Sequence, residues 1–150
     1  PPPAQTRAAV ERVVALADVV KVSEEDLAWL DDDPMGLAEA WAAAGPHLVV
    51  VTRGAQGAVA LTARGVRVAV PAAPVAVADT VGAGDAFMAA LLDGLWTAGL
   101  LGPEARPVLR AVDEATLRRV LERCALVAGI TVGRPGADPP TAAELRDREA

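Results

Sequence analysis

The sequence predicts an α/β fold, and three features of its 150 residues lead to that fold class. Two strongly apolar segments of strand length, residues 18–22 and 47–52, are separated by helical segments, which is the pattern of a βαβ unit with parallel strands. Residues 57–63 and 66–70 alternate in polarity on either side of an Arg-Gly pair and predict a β-hairpin. Two long helical segments follow. Because 53% of the residues are hydrophobic, the chain can form one compact core, and it is too short for two ordinary domains.

Three helices are predicted before the second strand. Residues 4–17 form the first, with apolar side chains near one face: Ala8, Val10, Val13, Val14 and Ala17. Between this helix and the next, residues 18–22 are expected to be a short buried strand. Ser23 is the N-cap of a short helix over 24–30, whose acidic residues lie in its first turn, where the helix dipole favours them. An Asp-Pro pair then starts a helix over 34–44, which ends at a Gly-Pro pair.

The C-terminal half is predicted to be mainly helical. Pro71 and Pro74 interrupt the strand pattern ahead of it. The predicted segments are a helix over 83–98, a Gly/Pro-rich link over 99–107, a helix over 113–128, a loop over 133–140 and a helix over 141–149. Cys124 and the three tryptophans, Trp29, Trp41 and Trp96, lie on predicted helices and are expected to be packed.

Composition and charge exclude several classes of function. A formal net charge of −6 argues against a nucleic-acid partner or an anionic membrane surface. Cys124 is the only cysteine and His47 the only histidine, which excludes an internal disulfide, a cysteine-based zinc site and a histidine-pair metal centre. Lys21 is the only lysine and no glycine precedes it, so there is no Walker A loop. No apolar run approaches the ~18 residues of a membrane span, and a reduced, cytoplasmic setting is expected.

Two loops are predicted at the carboxyl ends of the parallel strands, where open α/β sheets bind their ligands. The first holds Lys21, Ser23 and Asp26, and the second runs from Thr52 to Gly57. Gly54 and Gly57 allow a ligand to approach the backbone closely, although glycines of this kind also occur in ordinary turns.

The segment Asp79-Thr80-Val81-Gly82-Ala83-Gly84-Asp85 carries the strongest chemical signal. Small residues at the start of an apolar helix let successive backbone N–H groups point outward, with the positive end of the helix dipole behind them. Asp85 lies in the first turn, beside this anion hole. An anion hole next to a carboxylate suits phosphoryl transfer to a hydroxyl group. The simpler alternative is that Asp85 only stabilises the N-terminus of the helix.

This seven-residue segment resembles the C-terminal signature of the ribokinase-like (PfkB) carbohydrate kinases, D-T-x-G-A-G-D, and matches it completely. Residues 51–58 (VTRGAQGA) resemble the T-x-G-x-x-G nucleotide loop of that family, and residues 20–30 resemble the segment with its N-x-x-E motif. Residues 131–145 resemble the loop that closes the adenine site. Together the likeness covers residues 10–148, and Lys-x-Ser-x-x-Asp and Gly-Ala-Asp-Pro-Pro look most like bacterial fructokinases.

The resemblance implies roles for the residues at the phosphoryl-transfer end. Asp85 would be the general base that deprotonates a sugar hydroxyl, with the turn from Gly82 through Ala83 to Gly84 as the anion hole. Lys21 would lie near the phosphates of ATP.

The resemblance also implies how the nucleotide and its ions are held. Thr52, Gly54 and Gly57 would form the nucleotide loop, and Ala125 would line the adenine pocket. Ser23 and Asp26 fall on the Asn and Glu of N-x-x-E, where Asp26 would organise Mg²⁺, although both residues depart from the motif. Asp79 and Val81, with the loop over 133–136, match the place where many relatives hold a monovalent cation such as K⁺.

At the level of the whole chain, the resemblance implies a ribokinase-like three-layer α/β/α sandwich of which residues 1–150 are the C-terminal, nucleotide-binding and catalytic part. The family's N-terminal half, with its lid and most sugar contacts, is absent from this sequence, and a homodimer would form through that half. The implied activity is ATP-dependent phosphorylation of fructose or a related sugar. Three alternatives stay open: a kinase for ribose, a keto-deoxy sugar acid or a nucleoside; a nucleotide-binding module without catalysis; and a structural α/β domain.

Overall fold

The structure, a computed structural model, describes residues 2–149 and arranges them as a sheet between two layers of helices. The strands are β1 (Val19–Ser23), β2 (Leu48–Thr52), β3 (Ala58–Thr62) and β4 (Arg67–Val70). The helices are α1 (Pro3–Val14), α2 (Glu24–Leu30), α3 (Pro34–Ala44), α4 (Ala83–Thr97), α5 (Arg106–Arg110), α6 (Glu114–Val132) and α7 (Ala142–Glu149). Single 3₁₀ turns occupy Gly54–Gln56 and Pro103–Ala105.

The four strands form a mixed sheet in the order β1-β2-β3-β4. β1 and β2 are parallel, with Val19 opposite Leu48 and Ser23 opposite Thr52, which confirms the predicted βαβ unit. β3 and β4 form the predicted hairpin, and β3 pairs antiparallel with the other edge of β2. β2 is therefore internal, and its residues from Leu48 to Val51 are fully buried.

Alternate residues of the strands contribute to two separate hydrophobic cores. On one face, Val49, Val51 and Val59 pack with residues of α1, α2 and α3, among them Leu27 and Trp41. On the other face, a second set of strand residues packs with α4, α5, α6 and α7, through side chains such as Leu48, Val50, Val68, Leu91 and Leu121. The result is the three-layer α/β/α arrangement that the resemblance implied.

Several helix ends follow from local capping. The Ser23 hydroxyl accepts a hydrogen bond from the Asp26 N–H at 3.0 Å, and an Asp33 carboxylate oxygen accepts one from the Gly36 N–H at 3.0 Å. These bonds satisfy N–H groups that the first turn of a helix leaves without a partner. The bounds of α2 and α3 accordingly agree with the sequence prediction.

The predictions for the first helix and the first strand were partly wrong. α1 ends at Val14 instead of residue 17, and Val13 is 68% exposed instead of packed. The chain turns over residues 15–18 to enter β1, which removes the last helical turn. β1 was expected to be buried, but every residue in it is only partly buried, because β1 is an edge strand with β2 as its only neighbour in the sheet.

The C-terminal helices differ from prediction in two places. α5 was missed, because it is short and lies within a segment rich in proline and glycine. α6 runs to Val132 instead of residue 128, so Gly129 lies inside the helix. A Cβ at Gly129 would lie 2.7 Å from Ala73 Cβ, which shows that this glycine allows the segment after β4 to pass close to α6.

Packing was predicted correctly for only some of the large side chains. Cys124 is buried, and its pKa is raised to about 12 by burial. Trp41 is buried, as expected, whereas Trp29 and Trp96 lie on the outer faces of α2 and α4 and are exposed.

Candidate active site

The two predicted ligand loops lie side by side at the carboxyl ends of β1 and β2. The last residues of the two strands, Ser23 and Thr52, are opposite each other in the parallel register. Each loop therefore starts from the same edge of the sheet, and the starting points of the two loops are one strand spacing apart.

The glycine loop after β2 is a tight turn. The Arg53 N–H donates to the Gly57 carbonyl at 2.8 Å, and the Gly57 N–H donates to the Gly54 carbonyl at 3.1 Å. Gly57 has a φ of +89°, and a Cβ on it would lie 2.0 Å from the carbonyl oxygen of Val70. Only glycine fits that position. Gly54 has a φ of +50° with no heavy atom within 4 Å of its Cβ position, so one side of the loop is open to a ligand.

The loop after β1 is organised by the start of α2. The Ser23 hydroxyl donates to Asp26 Oδ2 at 2.6 Å and also accepts from the Asp26 N–H. The Ser23 hydroxyl thus caps the helix and is held in place by the Asp26 carboxylate, a structural role that the family likeness alone did not indicate. Asp26 Oδ1 has no hydrogen-bond partner among residues 2–149 and is exposed.

An ion pair joins the two loops. Arg53 Nε donates to Glu24 Oε1 at 2.9 Å, and both side chains are about two-thirds buried. Sequence reasoning did not identify this pair, because the residues are 29 positions apart and neither belongs to a fixed motif position.

The N-terminus of α4 presents backbone donors without partners. Gly82 is the N-cap, with a φ of +78°, and provides no side chain. The Ala83 N–H makes a long hydrogen bond to the Thr80 carbonyl at 3.3 Å. Within the described part of the chain, the N–H groups of Gly82, Gly84 and Asp85 donate to no protein acceptor. Three unpaired donors at the positive end of a helix dipole are an arrangement that suits an anion, and the predicted anion hole stays a prediction.

A lysine and a carboxylate lie near this end of α4. Lys21 belongs to β1, and its Nζ lies 3.1 Å from the point that a Cβ of Gly84 would occupy. Asp85, in the first turn of α4, is exposed. Among residues 2–149, neither Lys21 nor Asp85 has a hydrogen-bond or ion-pair partner. A lysine ammonium and a carboxylate that both lack protein partners are available to a ligand.

Asp79 connects the anion-binding turn to the loop after α6. Its two carboxylate oxygens accept from the N–H groups of Val81 and Gly136, each at 3.0 Å. Both hydrogen bonds lower the pKa of Asp79, and the one from Val81 has the larger effect. Ala137 follows in the same loop, and its Cβ lies 2.7 Å from the Cβ position of Gly82. The loop over 133–140 thereby holds the turn before α4 in place.

A cavity of about 510 Å³ opens beside Asp85. Asp93 and Arg123 lie on its wall, together with Gly82 and apolar side chains, mostly alanine and proline, from α4, α6, α7 and the loop before α7. Its lining is mostly apolar with few polar groups, which is typical of small-molecule sites.

The structure brings together most of the residues that the sequence indicated, in two groups. One group comprises Lys21, Gly82, Ala83, Gly84 and Asp85 at the start of α4, and the other comprises Ser23, Asp26, Thr52, Gly54 and Gly57 at the ends of β1 and β2. Ala125 is buried in the core that lies under α4 and α6, and its contact with adenine stays a prediction. Within residues 2–149, no cluster of three or more His, Cys, Asp or Glu side chains is arranged to hold a metal ion. No helix in this range is long and apolar enough to cross a membrane.

Comparison with known proteins places these features in a family context. The family described as pfkB family carbohydrate kinase matches residues 1–144. A fructokinase from Rhizobium leguminosarum bv. trifolii is 42% identical over 113 residues, which cover 74% of this chain and 33% of the relative.

Solved structures show the same fold. An aminoimidazole riboside kinase from Salmonella enterica, in complex with aminoimidazole riboside and an ATP analogue, has a TM-score of 0.75 at 26% identity, covering 97% of this chain and 46% of that one. A fructokinase double mutant from Vibrio cholerae O395, with bound fructose, ADP and potassium ion, has a TM-score of 0.72 at 29% identity. The match covers 95% of this chain and 44% of that one. The chain thus spans a third to under half of the length of these relatives.

Proposed function

The chain belongs to the PfkB family of carbohydrate kinases, and from this membership we propose that it is the nucleotide-binding and catalytic portion of an ATP-dependent sugar kinase, with fructose or a related sugar as the phosphoryl acceptor. The single observation that carries the proposal is the arrangement at the start of α4. Backbone donors without partners lie there close to an unpaired lysine and an unpaired carboxylate, which are the groups that phosphoryl transfer to an alcohol requires.

Asp85 acts as the general base. Its carboxylate accepts the proton of the acceptor hydroxyl as the hydroxyl oxygen attacks the γ-phosphorus of ATP. The bond from the γ-phosphorus to the bridging oxygen breaks, and ADP leaves with the bridging oxygen. Asp85 then returns the proton to solvent. Because Asp85 is exposed and makes no protein hydrogen bond within the described residues, no internal contact has to be broken before it accepts the proton.

The start of α4 and Lys21 stabilise charge on the transferred group. The N–H groups of Gly82, Gly84 and Asp85 donate to phosphoryl oxygens, and the Lys21 ammonium lies close to Gly84 on the β1 side. A loose phosphoryl-transfer transition state needs positioning and charge stabilisation more than covalent help. The glycine loop from Thr52 to Gly57 positions the nucleotide, and Ala125 of α6 is the residue assigned to the adenine pocket.

The implied ions fit the residues at two places. Mg²⁺ in kinase sites is held by one or two carboxylates and the substrate phosphates, so Asp26 Oδ1 alone is a sufficient protein ligand, and the metal would supply charge neutralisation at the phosphates. Asp79 and Val81 would hold a monovalent cation beside the loop over 133–136, with the carboxylate lone pairs that the two N–H groups leave open.

We further infer that this portion works with an N-terminal portion that supplies the lid and the sugar contacts. The relatives are two to three times as long, and β1 is a half-buried edge strand that can pair with one more strand. A homodimer would form through that portion.

The decisive experiment compares ADP release by the full reading frame, with Mg-ATP and D-fructose, between the wild type and Asp85→Asn. We expect kcat to fall about 10³-fold while the Kd for ATP stays within about twofold, because the amide keeps the volume and removes the base. Asp93→Asn is the matched control, since Asp93 lines the same cavity two turns along α4 and should keep kcat within about threefold.

Each other outcome leads to a different conclusion. Activity with ribose, a keto-deoxy sugar acid or a nucleoside instead of fructose would keep the mechanism and change the acceptor. Retained ATP binding without transfer to any of them would favour the non-catalytic module. Equal loss of ATP affinity and kcat in Asp85→Asn would assign Asp85 a structural role.

A further inference from the structure

We propose that the ion pair between Glu24 and Arg53 is a positioning device that sets the distance between the two nucleotide-binding loops, and thereby the affinity for ATP. The inference rests on the proposed function, because it concerns the same nucleotide site. Neither residue is assigned a contact with the nucleotide.

The ion pair joins the two loops one residue beyond the end of the β1–β2 strand pairing. The register between β1 and β2 ends with Ser23 opposite Thr52. Glu24 and Arg53 are the next residue on each side, and their side chains bridge the gap with an Nε to Oε1 distance of 2.9 Å. The loop after β1 is held on its own side by the Ser23–Asp26 cap, and the glycine loop by its internal hydrogen bonds. The ion pair therefore connects two loops that are each held together by hydrogen bonds of their own.

Arginine suits this role. Its guanidinium is planar and permanently charged, so a bond through Nε fixes the direction of the whole group. The side chains of Arg53 and Glu24 are 29% and 32% exposed, which reduces screening by solvent compared with a fully exposed pair. Glu24 is also the first residue of α2, where the helix dipole favours its negative charge and holds it in place.

The pair also affects the charge that a nucleotide meets. Glu24, Glu25 and Asp26 lie together in the first turn of α2. Phosphates that approach this turn are repelled unless one of the carboxylates is neutralised, and Arg53 neutralises Glu24. Positioning and charge neutralisation predict different results for Glu24→Ala, which makes them separable. If the pair positions the loops, loss of Glu24 weakens ATP binding; if only charge matters, loss of Glu24 strengthens it.

The test is a double-mutant cycle on the Kd for ATP, measured by calorimetry on the protein from its full reading frame. Arg53→Ala and Glu24→Ala should each raise the Kd for ATP about three- to fivefold. The Kd of the double variant should exceed the higher of the two single-variant values by no more than about 1.5-fold. Arg53→Lys should fall between the wild type and Arg53→Ala, because lysine keeps the charge without the planar group. At saturating ATP, the kcat of each of these variants should stay within about twofold of the wild-type value, because the pair acts on ATP binding.

The Glu39–Arg67 ion pair provides a matched control. It joins α3 to β4 at 2.6 Å, spans 28 residues, and has no part in either loop. Arg67→Ala should leave the Kd for ATP within about 1.5-fold of the wild type. Melting temperatures measured on all variants show whether each one is folded.

Three results would overturn the inference. Tighter ATP binding by Glu24→Ala would show that charge alone matters. Independent effects of the two single variants would show that Arg53 contacts the nucleotide directly, and an unchanged Kd in Arg53→Ala would show that the pair has no role. A wild-type protein that binds no ATP would be a different failure, because it would remove the proposed function itself and this inference with it.

Discussion

Replacement of Gly84 by alanine should stabilise the protein and weaken ATP binding at the same time. Gly84 is the second residue of α4, and its backbone does not have the positive φ that favours glycine. A Cβ there would meet one neighbour within 4 Å, Lys21 Nζ at 3.1 Å. That neighbour is the end of a flexible side chain, so it can move by a few tenths of an ångström without strain in the backbone.

The expected gain in stability comes from the unfolded chain. Alanine loses less conformational entropy than glycine when a helix forms, which contributes about 0.4–1 kcal/mol when the native backbone suits it. For a chain of this size, that corresponds to a melting temperature about 1–4 °C higher. The movement of Lys21 costs little in comparison, because its ammonium has no protein partner to lose among the described residues.

The loss of affinity comes from the same methyl group. Its carbon would lie 3.1 Å from the Lys21 ammonium at the end of α4 that carries the unpaired backbone donors, and a phosphate must reach both if the proposed site is correct. Loss of one charge-assisted hydrogen bond is worth about 1.5–3 kcal/mol, so the Kd for ATP should rise about 10- to 100-fold.

Calorimetry with ATP and thermal melting followed by circular dichroism measure the two effects separately. Lys21→Met is the control variant, because it removes the charge at similar length and should weaken ATP binding without the rise in melting temperature. A lower melting temperature in Gly84→Ala would mean that residue 84 does not have the helical backbone described. An unchanged Kd would mean that phosphates do not approach Gly84, and the anion-binding role of this turn would be wrong.

Two further predictions concern stability. Gly57→Ala should destabilise the protein by about 3 kcal/mol or more in urea unfolding, since its Cβ would lie 2.0 Å from the Val70 carbonyl oxygen at a φ of +89°. Gly54→Ala, with open space around its Cβ position, should cost only about 1–2 kcal/mol, and equal costs at the two positions would contradict the close packing at Gly57. The N–H of Thr141 and then the guanidinium of Arg134 lower the pKa of Glu144 from 4.5 to about 2, so ionised Glu144 stabilises the fold above pH 4.5 and this contribution is lost as the pH falls through about 2. The melting temperature of Glu144→Gln should therefore be below that of the wild type at pH 7, with a difference that closes as the pH approaches 2; a difference that persists at pH 2 would show that Glu144 acts through its shape and not its charge.

Features that depend on neighbours within one helical turn were determined by the sequence alone. Ser23 starts α2, the Asp-Pro pair starts α3, and α4 begins at Ala83 after a glycine with positive φ. Capping bonds and the conformational freedom of glycine act over one to four residues, so the residue types suffice to predict them. The complete D-T-V-G-A-G-D segment likewise indicated the family and the candidate catalytic residue without a structure.

The assembly of the candidate site was decided only by the tertiary structure. Asp79 meets Gly136 across 57 residues, Glu24 meets Arg53 across 29, and Lys21 reaches Gly84 from a different element of the fold. Each contact depends on how strands and helices are placed against one another, which no local pattern encodes. Gly129 shows the same dependence, because the need for a glycine inside α6 comes from Ala73, which passes close to the helix. Short-range bonds are determined by adjacent residue types, whereas these long-range contacts exist only once the sheet register and the packing of its two helical layers are in place.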